Sequence, residues 1–158
     1  MQIGVRKQNS TFCIFGFLST LFLILIMFAG SISTSYAVDY DKLLEQAGKL
    51  DIQENPDHVI ALLDPYKDDP QNNSVTFFLV LGQAYSLVTR HREAIRLYKR
   101  GLNINPDHPE LNFKVGVELL NKGDYKDALA HMKKTLKQDP NHQGAKRWSK
   151  FLQKQLNK

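Results

Sequence analysis

The chain has 158 residues, with 21 lysines and arginines against 16 aspartates and glutamates, a formal net charge of +5. That length fits one ordinary domain, and so mild a basic excess excludes a dedicated nucleic-acid binder. The one cysteine, Cys13, excludes a disulfide framework and a cysteine-based metal site.

Residues 1–37 contain no acidic residue and one long apolar stretch. Arg6 and Lys7 form a short basic head, Phe12–Gly30 is apolar and densest at Leu21–Phe28, and Ser31–Ser35 is small and hydroxylated. Ser35-Tyr36-Ala37 puts small residues at the −3 and −1 places of a cut before Val38, the order that signal peptidase reads. Residues 1–37 are therefore expected to be a signal peptide, leaving the protein periplasmic or secreted after cleavage near Ala37. The rival reading keeps the segment. Residues 12–30 number 19, close to the ~20 that span a bilayer, and would anchor the chain in the inner membrane. Either way the basic head stays cytoplasmic and the remainder crosses the membrane.

Residues 38–158 carry 19 basic and 16 acidic side chains, a net of +3. A chain of that length buries roughly two-thirds of its unfolded surface, enough for its own core. Apolar residues recur at three- and four-residue steps, and prolines and short polar breaks interrupt them. The pattern predicts seven helices, near residues 40–51, 56–67, 74–88, 91–103, 108–121, 124–137 and 142–156. Pro65 and Pro70 end the second helix, and Asn105-Pro106 and Asp139-Pro140 stop the fourth and sixth.

One offset relates these helices. Gly48, Gly82 and Gly116 are spaced by 34 residues, as are Ala94 and Ala128, Pro106 and Pro140, and His108 and His142. Within 75–108 stand Phe78, Leu81-Gly82, Tyr85, Ala94, Tyr98, Gly101 and Pro106. Residues 109–142 supply Val115-Gly116, Leu119, Ala128, Met132 and Pro140, with Asn112 in the aromatic place and Thr135 in the second alanine place. Residues 41–74 keep Leu44, Ala47 and Gly48 in register, but Ala61 precedes Ala94 by 33, so the turn near 53–57 is expected to be one residue short.

This pattern resembles the tetratricopeptide repeat. The resemblance implies an all-α, right-handed solenoid of about three helix pairs (units 41–74, 75–108 and 109–142) closed by a capping helix at 143–156. Gly82 and Gly116 would admit a neighbouring helix, Ala94 and Ala128 would fill the same crossing, Tyr85 and Tyr98 would wedge between helices, and Pro106 and Pro140 would set the turns. Phe78 and Leu81 complete these packing positions.

The resemblance further implies a concave groove, lined by the first helix of each pair, that holds a peptide or helix of a partner protein. Leu79, Gln83, Phe113, Val117 and Leu120 take the groove places. Four of the five are apolar, so the expected partner segment is mainly apolar. The Lys and Asn clamp with which some relatives hold acidic C-termini is absent.

Catalytic, cofactor and metal residues are expected to be none. The five histidines lack metalloprotease spacing, no Gly-rich phosphate loop or Gly-x-Ser-x-Gly elbow occurs, and His108 and His142 read as solvated turn residues. Trp148 reads as core packing of the last helix. The C-terminal third is strongly basic, which allows contact with an acidic surface, but base-stacking aromatics are not interleaved, which argues against single-stranded nucleic acid. The function expected is a non-catalytic scaffold of the cell envelope. The alternative is a membrane-anchored assembly factor serving an adjacent membrane complex.

Overall fold

Side-chain caps and prolines set the helix limits. The computed structural model describes residues 38–157; the signal or anchor reading of 1–37 lies outside them. Asp39–Lys158 forms a compact unit of its own. Among the described residues there are seven α-helices and no strand: α1 Tyr40–Gly48, α2 Pro56–Leu63, α3 Val75–Leu87, α4 His91–Ile104, α5 Pro109–Asn121, α6 Tyr125–Gln138 and α7 Gln143–Leu156.

The starts follow capping chemistry. Asp39 accepts from the Lys42 amide at 3.0 Å, and the Ser74 hydroxyl accepts from the Phe77 amide at 3.2 Å. Proline opens α2 and α5, where its missing N–H costs nothing. Pro65 confines the chain after α2 to one 3₁₀ turn, Asp64–Tyr66. Val88–Arg90 separates α3 from α4 through Thr89, whose φ of 60° is left-handed. The equivalent break after α5 uses Gly123 at φ 82°.

The core runs between the paired helices. Phe77, Phe78, Leu81, Ala94 and Tyr98 join α3 to α4, and Leu111, Val115, Ala128 and Met132 join α5 to α6; all are at most 1 % exposed. A Cβ on Gly82 would come within 2.7 Å of Tyr98 Cδ1, so this glycine is where the aromatic ring crosses α3. Gly101 leaves the space that Leu111 of the next unit fills. Tyr85 is buried and donates to Asp64, tying α3 to the end of the first unit. Pro106 and Pro140 lie exposed in the turns, as expected.

The first unit departs from its expected form. α1 ends at Gly48, three residues before the predicted end, because Asp51 organises a turn instead: its carboxylate accepts from the Gln53 amide at 2.9 Å and its carbonyl from the Asn55 amide at 2.7 Å. Gly48 keeps the register without its packing role, since a Cβ there would meet nothing within 4 Å. Ala61 is exposed, and α2 buries Val59 and Leu63. It is therefore not the counterpart of Ala94.

Candidate partner-binding surface

The first helix of each pair, and α7 after them, stand side by side. Ser86 near the end of α3 donates to Glu118 of α5 at 2.5 Å, and the Phe113 ring of α5 lies 4.3 Å from the His142 ring at the start of α7. These helices make the face on which the groove residues were placed. Leu79, Gln83, Phe113, Val117 and Leu120 are all half-buried, and the four apolar ones pack their inner sides on the core.

Phe113 differs from the other four. A Cβ on Gly144 would come within 2.7 Å of its ring, so α7 closes directly against it. Phe113 thus serves the α5–α7 joint.

The sequence reading missed two members of this surface. The 34-residue step carries Phe113 to Arg147 and Val117 to Phe151, so α7 continues the same rows. Phe151 is 41 % exposed and meets the half-buried Trp148 edge to face at 5.8 Å. The Arg147 guanidinium stands 5.7 Å from the Trp148 ring. Extending the repeat offset into the last helix would have found both.

Buried polar groups hold the face in shape. Glu118, 2 % exposed, accepts from Ser86 and lies 2.8 Å from His91 Nδ1, so one carboxylate links α3, α4 and α5. Asn112 is 1 % exposed; its amide donates to the Pro106 and His108 carbonyls and its oxygen lies 3.0 Å from His131 Nδ1. With the Asn112 amide so engaged, His131 Nδ1 is the donor. Burial, helped by nearby Lys134 and Lys99, pushes the His131 pKa below the usual histidine range. Burial raises the Tyr85 hydroxyl to about 12, and its hydrogen bond to Asp64 adds to the rise.

His108 and His142 are not simply solvated. Their Nδ1 atoms accept from the Leu111 and Ala145 amides at 3.3 and 3.1 Å, capping α5 and α7. No group of three or more metal-binding side chains occurs among the described residues. No described helix is long and apolar enough to cross a membrane.

The comparisons agree with this architecture. The tetratricopeptide-repeat profile matches residues 75–108 and 109–142. Among solved structures, MamA from AMB-1 is 26 % identical with a TM-score of 0.64, covering 84 % of this chain and 72 % of its own. The Sgt2 tetratricopeptide domain from Aspergillus fumigatus is 17 % identical with a TM-score of 0.66, covering 79 % and 83 %. The first tetratricopeptide domain of Spaghetti (RPAP3), bound to an HSP90 peptide, is 17 % identical with a TM-score of 0.69, covering 78 % and 100 %. No curated protein sequence matches significantly. The described chain has the all-α fold of a tetratricopeptide solenoid, and its residues 75–142 match the family profile as two tetratricopeptide repeats.

Proposed function

We propose that the protein is an interaction module of the cell envelope that takes a mainly apolar partner segment across α3, α5 and α7. The observation that carries this reading is the composition of the shared face. Leu79, Val117 and Leu120 are half-exposed and apolar, Phe151 extends them, and Gln83 is the polar member beside them. Apolar side chains left accessible in a row mark contact surfaces. The Spaghetti (RPAP3) domain, which is similar in fold, is described with a bound peptide; here the acidic-terminus clamp is missing, so a different peptide chemistry is expected.

Export rests on the order of basic head, apolar core and Ser35-Tyr36-Ala37. If residues 12–30 are retained, the same face serves a complex in the adjacent membrane. The mass of the native protein separates the two, since cleavage after Ala37 removes 37 residues.

The binding test places a photo-crosslinking residue at Gln83 or Phe151, with Lys133 on the exposed side of α6 as the control. Gln83 and Phe151 should capture the same partner segment and Lys133 should not. Equal capture at all three positions, or at Lys133 alone, would remove the face from consideration.

A further inference from the structure

Charge is distributed unevenly along the solenoid. Residues 39–74 hold nine acidic and three basic side chains, a net of −6. Residues 75–124 hold seven basic and five acidic, and residues 125–157 hold eight basic and two acidic, a net of +6. The two ends thus carry equal and opposite charge, which the chain's small net charge conceals.

Among the described residues, intramolecular pairing engages four of the seven basic residues of the middle and none of those of the C-terminal end. Arg90 pairs with Glu93 at 2.7 Å and lies over Tyr85, while Arg100 pairs with Asp68 at 2.7 Å and lies over Phe78. By contrast Lys133, Lys134, Lys137, Lys146, Lys150 and Lys154 are all exposed and join no ion pair among the described residues. Lys146, Lys150 and Lys154 step by four along α7 and form one stripe. At the other end Asp41, Asp51, Glu54 and Asp57 are likewise exposed and outside any ion pair.

The α7 stripe lies on the last of the described helices, on a side that no described element covers. α7 packs inward through Ala145, Ser149 and Leu152 and leaves its other side open. We propose that this open basic face docks on the acidic first unit of a second copy of the chain, giving head-to-tail assembly. Matching charges at opposite ends make the contact heterologous, so it propagates into chains of copies unless the rotation closes a ring. The contact is electrostatic and its strength depends on ionic strength, because exposed charges are screened beyond a Debye length of about 30 Å at 0.01 M and about 3 Å at 1 M salt.

The test uses the full chain in an uncharged detergent, with mass followed by light scattering and helicity by circular dichroism. The wild type should form multiples of the monomer at about 0.01 M salt and return to monomer at about 1 M. One variant, Lys146→Glu with Lys150→Glu and Lys154→Glu, brings the C-terminal end from +6 to 0 and makes the α7 stripe itself acidic. A second, Asp41→Lys with Glu54→Lys and Asp57→Lys, brings the first unit from −6 to 0 and makes its unpaired positions basic. Each alone should stay monomeric at low salt, and an equal mixture should associate again. That recovery cannot come from misfolding or from association through residues 1–37. The proposal is overturned if the wild type is monomeric at low salt, if either variant alone still associates, or if the mixture does not. Binding of a monomeric wild type to phosphatidylglycerol vesicles, lost in the first variant, would assign the basic face to a membrane surface instead.

Discussion

Alanine substitution at three glycines of one register should give three different outcomes. Gly48, Gly82 and Gly116 are spaced by 34 residues and all lie in first helices. In a helix alanine is favoured over glycine by about 1 kcal/mol. What the new methyl group meets decides the rest. At Gly48 it meets nothing within 4 Å, so Gly48→Ala should gain up to about 1 kcal/mol. At Gly116 it would come within 2.8 Å of Met132 Cε, the far end of a flexible side chain, and 3.3 Å of the Ala128 carbonyl. Met132 can turn aside, so gain and loss should nearly cancel.

At Gly82 the methyl group meets the side of the Tyr98 ring, within 2.7 Å of Cδ1 and closer still to Cε1. Tyr98 is 1 % exposed, so its ring can move aside only by displacing buried neighbours. Overpacking of this kind costs about 1–3 kcal/mol, which offsets or exceeds the helix preference and leaves a net loss of up to about 2 kcal/mol. For a domain of this size that is a drop of up to roughly 8 °C in melting temperature. Urea denaturation of the three variants, with the slope checked for constancy, measures the order directly. If Gly82→Ala is as stable as Gly48→Ala, the close crossing of Tyr98 over α3 is wrong.

Three further outcomes follow from single contacts. Thr89 sits at φ 60° where Gly123 sits at φ 82°, and each turn closes with the same bond, Arg90 to the Tyr85 carbonyl and Asp124 to the Leu119 carbonyl, both 2.9 Å. Left-handed backbone costs a β-branched residue about 1–2 kcal/mol, so Thr89→Gly should raise the urea midpoint, and a lowered midpoint would refute the strain. Burial holds the folded-state pKa of His131 below its unfolded value of about 6.5, so stability from the neutral ring is full above that pH and is lost as pH falls through the folded value. Denaturation between pH 7.5 and 5 should show His131→Gln losing less stability than wild type, by at most about 1.4 kcal/mol per pH unit; parallel curves would refute the assignment. Glu118 and His91 should couple by about 0.5–3 kcal/mol in a double-mutant cycle of Glu118→Gln and His91→Ala, and additive effects would show that the carboxylate does not join α4 to α5.

Packing positions could be read from the sequence because each demands a residue type. Phe78, Leu81, Ala94, Tyr98 and Ala128 are buried where the repeat put them, since only those sizes fit the crossings. The first unit was harder because its register and its packing part company. Gly48 keeps the spacing but Asp51 builds a turn that ends α1 early, and Ala61 faces solvent. The residues assigned to the groove stand half-buried on α3 and α5, but the packing of α7 against Phe113 depends on how two helices approach, which spacing does not encode. Polar substitutions were hardest of all. Asn112 and Thr135 read as mismatches, whereas Asn112 ties the preceding turn and Thr135 donates to the Pro109 carbonyl at 3.2 Å.

One deviation lacks such compensation. Ser149 is the fourth member of the row Ala47, Leu81 and Val115, which are spaced by 34 residues and are all buried. It is 7 % exposed, and its hydroxyl has no hydrogen-bond partner among the described residues. A buried polar group without a partner costs about 1–3 kcal/mol, where Asn112 and Thr135 recover that cost through their bonds. Ser149→Ala removes the hydroxyl without adding volume and improves helix preference, so it should raise the urea midpoint by the equivalent of about 1 kcal/mol. Ser149→Val restores the type found at Val115 and should gain more only if α7 can admit two extra carbons against α6, because overpacking opposes it. A lower midpoint for Ser149→Ala would mean that the hydroxyl is engaged in solution, and the last helix would then be held by the same polar means as the third unit.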